Sequence, residues 1–360
     1  METAVSVFLL SVIVSLLQYQ TDAARKCNGM EKLCFLHIDE VTFPGTHNSY
    51  SGFNGHLYHW SGSHASSMHY RNQGWSITRQ LDYGIRYFDI DTCWVKVKKD
   101  GKYWSTGAWA CHGKAYAGRI RTILQQMDQW LRQPAHSNEV ILIDFNRDVQ
   151  KGSMNRRRIY EDILKDLKAL WEPTRERLQA KELAISTKTN PFLIEAIETN
   201  QRIFVYMSEK LLDNASSKTP PWIQESEYAI KITWPQISRL DKRCSSIVSR
   251  TERWCKKFGG FGLLRLDIYM TSYFHSTWSA QRSCDRYMQS ALKKCYVHRE
   301  RHGATVNMVI ADWVDRSKSP NSVIAAARAQ NLINIKKYFG KRKVRSEEHT
   351  SELQSRQYLV

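Results

Sequence analysis

Gly84-Ile85-Arg86-Tyr87-Phe88-Asp89-Ile90-Asp91 reads as a strand that ends on carboxylates at i and i+2. Side chains alternate across a strand, so Asp89 and Asp91 share one face. Upstream, Phe43-Pro44-Gly45-Thr46-His47-Asn48-Ser49-Tyr50 takes a second predicted strand into a tight polar turn. Downstream, Ala110-Cys111-His112-Gly113 ends a third. Same-face carboxylates can hold a hard cation, and two histidines can trade a proton near neutral pH. A base, an acid and a cation site are the groups that cleavage of a phosphodiester requires.

Working outward, short apolar runs recur with helical stretches between them. Candidate strands span 40–46, 84–91, 106–112, 139–146, 201–208, 228–234, 262–270 and 306–313. Over 118–133, Ile120, Ile123, Leu124, Met127, Trp130 and Leu131 recur at helical spacing, and 155–183 and 321–336 read as further helices. Eight strands with helical connections predict an α/β fold, a TIM-type (β/α)8 barrel. The barrel should be irregular from Asp91 to Trp109, where Asp100-Gly101 marks a turn and no helical pattern appears. In such barrels, functional residues sit at the C-terminal ends of strands. His47, Asp91, His112, Asn146 and Asp312 all fall at or near predicted ends. With no internal repeat and no low-complexity linker, 24–344 reads as one domain.

The 360 residues carry 53 Lys+Arg against 35 Asp+Glu, a formal charge of +18. That balance suits anionic partners such as phospholipid headgroups, or simply a basic exported protein. No nucleic-acid-binding signature accompanies it, so nucleic acid is not an expected partner. The apolar run from Ala4 to Leu17 has the length of a signal-peptide core and is short for a membrane span. Thr21-Asp22-Ala23 offers small residues for cleavage after Ala23, so 1–23 is expected to be a signal peptide, with a signal anchor as the alternative. All eight cysteines, Cys27, Cys34, Cys93, Cys111, Cys244, Cys255, Cys284 and Cys295, follow it. An even number in an exported chain predicts disulfides, and short loops favour 27–34, 93–111, 244–255 and 284–295. Asn214-Ala215-Ser216 is a glycosylation sequon. Arg345-Ser346-Glu347-Glu348-His349-Thr350-Ser351-Glu352-Leu353-Gln354-Ser355 reads like a translated sequencing adapter. Residues 345–360 are therefore expected to be a non-native tail that takes no part in the fold.

Four motifs, in order, resemble the X-type catalytic domain of phosphatidylinositol-specific phospholipases C: Pro44 to Ser49, Gly84 to Asp91, His112-Gly113, and Glu139-Val140-Ile141-Leu142-Ile143-Asp144. A late acidic residue of that family matches Asp312 in Val309-Ile310-Ala311-Asp312-Trp313-Val314. The resemblance covers about residues 35 to 338. It implies a secreted enzyme of the phospholipase C type: a phosphoric diester hydrolase or lyase acting on an inositol phospholipid at a membrane surface, as a monomer.

By the same resemblance, His47 is the general base, oriented by Asp312, and His112 the general acid. In metal-independent bacterial members an arginine stands at the position of Asp91, whereas calcium-dependent members place an acidic residue there. This chain follows the calcium pattern with Asn48, Asp89 and Asp91. The fourth family ligand, a glutamate, falls on Asn146, which can still ligate through its amide oxygen. Asp144, on the same strand face, is a further candidate for the missing charge. Calcium is thus the expected cofactor, with magnesium second. Structural alternatives exist for each: Asp312 as a strand-end cap, His112 packed beside Cys111, Asp89 and Asp91 paired with Arg86 or a lysine.

Arg265, Asp267 and Tyr269 alternate on the seventh predicted strand and are candidates for headgroup contacts, or else a buried Arg–Asp pair. The stretch 51–72 holds His56, His59, His64 and His69, and reads as a solvated loop that lines the mouth or touches a membrane through Tyr58 and Trp60. Lys336, Lys337, Lys341, Arg342 and Lys343 form a basic cluster suited to anionic lipid or to solvent. Two other functions compete: a related barrel phosphodiesterase of the phospholipase D or sphingomyelinase type, and a non-enzymatic secreted lipid-binding protein.

Overall fold

The computed structural model describes residues 26–51, 58–59, 70–99, 102–112, 115–147, 153–213, 218–233, 245–260, 262–268, 284–316 and 322–357. The strands of the main sheet are β1 (Phe43–Thr46), β2 (Tyr87–Lys99), β3 (Lys102–His112), β4 (Ala115–Arg119), β5 (Ile141–Arg147), β6 (Ile203–Met207), β7 (Ile223–Glu225), β8 (Ile230–Thr233), β9 (Leu263–Asp267) and β10 (Met308–Ala311). Eight of them run parallel in the order β7-β6-β5-β2-β1-β10-β9-β8. The sheet curls into an open barrel. Helices α1 (Ile77–Tyr83), α2 (Ile120–Leu131), α3 (Ser153–Trp171), α4 (Leu193–Glu198), α5 (Ser245–Phe258), α6 (Met288–Glu300) and α7 (Val323–Gln357) connect or cover it. The α/β barrel expected from the pattern is therefore present.

Strand alternation sorts the core into two clusters. Phe88, Ile90, Ile143, Phe145, Val205, Leu264 and Val309 face the helices and pack with Ile120, Ile123, Leu124, Met127 and Trp130 of α2. Phe43, Tyr87, Leu142, Phe204, Met308 and Ile310 face inward and join Leu33, Leu36 and Ile38 of the N-terminal segment, which plugs the barrel floor. Further along, at or just past the strand ends, the inward positions turn polar: His47, Asp89, Asp144 and Asp312. Burying apolar surface below and polar groups above confines the chemistry to one end of the barrel.

The sequence reading of the eight barrel strands needs two corrections. The run 106–112 belongs to β3, which is antiparallel to β2 and lies off the parallel path. With only Asp100-Gly101 between them, β2 and β3 have no room for a crossover helix, so they can pair only antiparallel. The eighth parallel strand is instead β7, three residues long and following Pro220-Pro221, too short to show a period. The arm also changes why His112 is well placed. β2 overshoots the mouth, and β3 returns so that Ala110 pairs with Thr92. His112 thus comes down to the mouth from above.

Disulfides join Cys27 to Cys34 and Cys93 to Cys111, as expected. The expected 244–255 and 284–295 pairs are corrected, because Cys255 on α5 bonds Cys295 on α6 with Cα atoms 5.2 Å apart. Those two helices pack against each other, so proximity in space overrides proximity in sequence. Cys284 is also disulfide-bonded. Residues 1–23, Cys244, the sequon at Asn214, Tyr269, Trp60, His56, His64 and His69 lie outside the described residues. The backbone of Tyr58–His59 pairs with β4. Helix α7 continues through Gln357, across the adapter-like segment. Among the described residues, no helix is long and apolar enough to cross a membrane.

Candidate active site

β1 lies between β10 and β2, and Gly45 makes that approach feasible. A Cβ there would stand 2.7 Å from Ile310 Cγ2 and 2.8 Å from Tyr87 Cδ1. Immediately beyond, Asn48 turns the chain in the left-handed region at φ 45°, which asparagine tolerates better than most residues. Thr46 Oγ1 lies within hydrogen-bonding distance of both Ser49 Oγ and Gln80 Oε1, and Gln80 Nε2 donates to the Ser49 carbonyl at 2.7 Å. The Pro-Gly-Thr-His-Asn-Ser motif is thus a packed turn that points His47 into the mouth.

His47 Nδ1 stands 2.8 Å from Asp312 Oδ1, with the carboxylate buried and the imidazole slightly exposed. A carboxylate accepts, so Nδ1 carries the proton and Nε2 presents a lone pair. Asn48 Nδ2 approaches that Nε2 at 3.2 Å. Burial alone would lower the His47 pKa. The charge and hydrogen bond of Asp312, with the charges of Asp89 and Asp91, outweigh it and raise the pKa above the ordinary imidazole value. His112 Nδ1 lies 3.0 Å from the carbonyl oxygen of Tyr70, which likewise fixes its proton on Nδ1. The two imidazole centroids are 6.2 Å apart at an interplanar angle of 72°.

Asp89 and Asp91 share the inner face of β2, opposite Asp144 and Asn146 of β5 in parallel register. Asn146 Nδ2 donates to Asp89 Oδ1 at 2.6 Å. His47, Asn48, Asp89, Asp91, His112, Asn146 and Asp312 therefore gather at one end of the barrel. Asp144, level with Asp89, is occupied by other partners: its oxygens accept from Tyr87 Oη and Ser226 Oγ, each at 2.6 Å. Burial raises its pKa despite the nearby Arg265.

Arg265 and Asp267 are likewise interior rather than rim groups. Arg265 Nε donates to Asp267 Oδ1 at 2.8 Å, and its two Nη atoms donate to Asp89 at 3.0 and 3.3 Å. The same guanidinium lies 3.6 Å from Asp144. All four side chains are buried. One cation thus serves three carboxylates, and burial raises the pKa of Asp267 as well. The Arg–Asp pair is the alternative that the sequence left open, and Arg86 pairs with Glu139 instead of Asp89 or Asp91. Removing one partner from a buried ionic network typically costs about 3–5 kcal/mol. Arg265→Met is expected to lose stability of that order in urea unfolding, and a loss below about 1 kcal/mol would contradict this reading of the network.

Among the described residues, no group of three or more His, Cys, Asp or Glu side chains is poised around a metal position. The set at the mouth mixes amides with carboxylates. Asn48 Oδ1 is buried and has no hydrogen-bond partner. A buried acceptor left unsatisfied is costly, and it fits a hard cation, as do the oxygen donors of Asp89, Asp91 and Asn146.

The segment 70–73 is missed in the sequence reading, which treats 51–72 as a loop. Tyr70, Asn72 and Gln73 all bond to site residues. Tyr87 and Ser226 are also missed, although alternation from Asp89 places Tyr87 on the inner face.

Comparisons with known proteins agree with this fold. The PI-PLC X family model matches residues 33–325. PI-PLC X domain-containing protein 1 of Arthroderma benhamiae is 27% identical over 187 residues, 51% of each chain. An uncharacterized protein of Mycobacterium tuberculosis is 30% identical over 125 residues, 32% of this chain and 24% of that one. The chain thus spans about half or less of these curated relatives. Among solved structures, phosphatidylinositol-specific phospholipase C from Listeria monocytogenes superposes with a TM-score of 0.51 at 16% identity, covering 84% of this chain and 96% of that one. The F249X mutant of the Staphylococcus aureus enzyme gives 0.51 at 15% identity, with 83% and 97% covered. At such identities the likeness establishes the barrel, and the family match does the rest: this chain belongs to the PI-PLC X family.

Proposed function

We propose that the protein is a secreted phospholipase C-type phosphodiesterase that cleaves the glycerol–phosphate bond of an inositol phospholipid at a membrane surface. The observation that carries this reading is the pair of imidazoles. They lie 6.2 Å apart, each with Nδ1 tied to an oxygen acceptor. That leaves Nε2 of each as the exchangeable position, within reach of one phosphodiester.

His47 Nε2 takes the proton from the ring 2-hydroxyl as that oxygen attacks phosphorus. Asp312 holds the imidazole in the required tautomer and stabilises its charged form. His112, as the imidazolium with its second proton on Nε2, gives that proton to the departing glycerol oxygen and becomes neutral, a role that typically contributes 10²–10⁴-fold. Asn48, Asp89, Asp91 and Asn146 would hold calcium, or magnesium as the second choice, which when bound supplies Lewis-acid stabilisation of the phosphate charge. Asp89 reaches that role already held by Arg265 and Asn146, so its orientation is set in advance.

The three described disulfides suit an oxidising compartment and support export. The test is product release from phosphatidylinositol, phosphatidylcholine, sphingomyelin and glycan-anchored substrates, with and without chelator. Release from an inositol lipid alone is the expected result. Turnover of choline lipids only would favour the phospholipase D or sphingomyelinase type. Binding without turnover of any of them would indicate a lipid-binding protein.

A further inference from the structure

One short stretch, Tyr70 to Gln73, contacts three members of the site, His47, Asn48 and His112. The Tyr70 carbonyl accepts from His112 Nδ1 at 3.0 Å. Asn72 Oδ1 accepts from Asn48 Nδ2 at 3.1 Å, and the Asn72 carbonyl accepts from the Trp313 amide. Gln73 reaches furthest. Its Nε2 donates to the His47 carbonyl at 2.8 Å and to the Ala311 carbonyl at 2.9 Å, while its Oε1 accepts from the Val314 amide at 3.3 Å. Its own amide is tied to Ser51 Oγ at 2.8 Å. Gln73 and Asn72 are buried.

These bonds fall where the strand ladder ends. β1 and β10 pair through Ala311 and Thr46, and the ladder stops before His47 and Asp312. Beyond that point Trp313 adopts a left-handed backbone at φ 48°. A ladder-like bond still reaches the pair, from the His47 amide to the Ala311 carbonyl at 3.2 Å, and Gln73 Nε2 bonds that same carbonyl. A carboxamide is the side chain suited to this task, because it donates two bonds and accepts another from a single planar group.

We propose that Gln73 is a positioning residue for the reaction, a clasp that holds the ends of β1 and β10 in the register that brings His47 Nδ1 to Asp312. This rests on the catalytic reading of His47, and it extends it from the histidine to a residue that touches neither substrate nor cation. Asn72 and Tyr70 carry the same clasp to Asn48 and His112, so one segment aligns the base, the acid and an amide of the cation set.

The test uses the full chain carrying Gln73→Leu, with ¹⁵N-histidine labelling and steady-state kinetics on phosphatidylinositol. A misplacement of about 1 Å at the reacting atoms can cost about 10²-fold. The expected result is a fall in kcat of that size with KM changed less than about twofold. The downfield His47 Nδ1 proton resonance should move upfield or broaden while thermal unfolding stays cooperative. Should Gln73→Leu not fold, Gln73→Glu keeps the length and the acceptor but loses the amino donor, and the same loss is expected. An unchanged resonance with unchanged kcat in a folded variant overturns the proposal. His47→Ala measured alongside separates the two readings. Full activity there would defeat the catalytic reading, and the clasp would then stand or fall on the resonance alone.

Discussion

His47→Ala is expected to lower turnover of an inositol lipid by about 10⁴-fold while the protein still folds. The proposed base sits just past a strand end, slightly exposed, and its main polar partner is the Asp312 carboxylate. Removing it deletes the only imidazole beside that carboxylate among the described residues. His112→Ala should cost about 10²–10⁴-fold, since the leaving oxygen must then take its proton from water. Circular dichroism and kcat on the purified variants check both. Near-wild-type turnover in either folded variant would remove that histidine from the mechanism. The pH profile gives the sign of the Asp312 contribution. His47 acts as a base only when neutral, and its pKa is raised, so activity should fall on the acid side above the ordinary imidazole range. Asp312→Asn removes the two largest raising influences. The acid limb should then move to lower pH even as kcat drops.

Under the proposed function, chelation is expected to abolish turnover of an inositol lipid, and calcium to restore it. A carboxylate at Asp91 repels the charge that builds on the phosphate, so it serves catalysis only with a divalent ion beside it. Asp89 is already compensated by Arg265, which leaves Asp91 as the less buried carboxylate of the set. Asp91→Asn should therefore raise the calcium concentration needed for half-activity by about 10²-fold. Its stability should change by less than about 1 kcal/mol, as is usual for a site that is not fully buried. Calcium titration calorimetry and urea unfolding read the two effects separately. Full activity after exhaustive chelation, with no metal found by elemental analysis, would return Asp89 and Asp91 to a structural role.

Much of this site is legible in the sequence because strand alternation is strict. Once Asp89 is taken as inward, Asp91 and Tyr87 must be inward too. The tight turn after Thr46 is marked by Gly45, whose missing side chain lets three strands crowd together. What the sequence does not disclose comes from long-range contacts. Arg265 could face a headgroup or an acid by pattern alone, and only the curl of the sheet brings it to Asp89, 176 residues away. Gln73 sits in a stretch without a period, since its work is done by one carboxamide against three backbone groups. The Cys255–Cys295 bond depends on the packing of α5 on α6, which no local spacing records. The arm of β2 and β3 shows the same limit. A strand that overshoots the barrel and returns has the composition of any other strand, and its direction is settled by the short turn alone.

The measurement that bears most directly on the proposed chemistry is phosphorus NMR of phosphatidylinositol turnover, followed from the first minutes. Attack by the 2-hydroxyl, with His47 as base and His112 as acid, must place the phosphate in a five-membered ring before any water enters. A cyclic inositol phosphate resonance that appears first, and is absent in His47→Ala, is the expected result. Phosphatidic acid as the first and only phosphorus product would mean cleavage on the other side of the phosphate and would contradict the phospholipase C assignment.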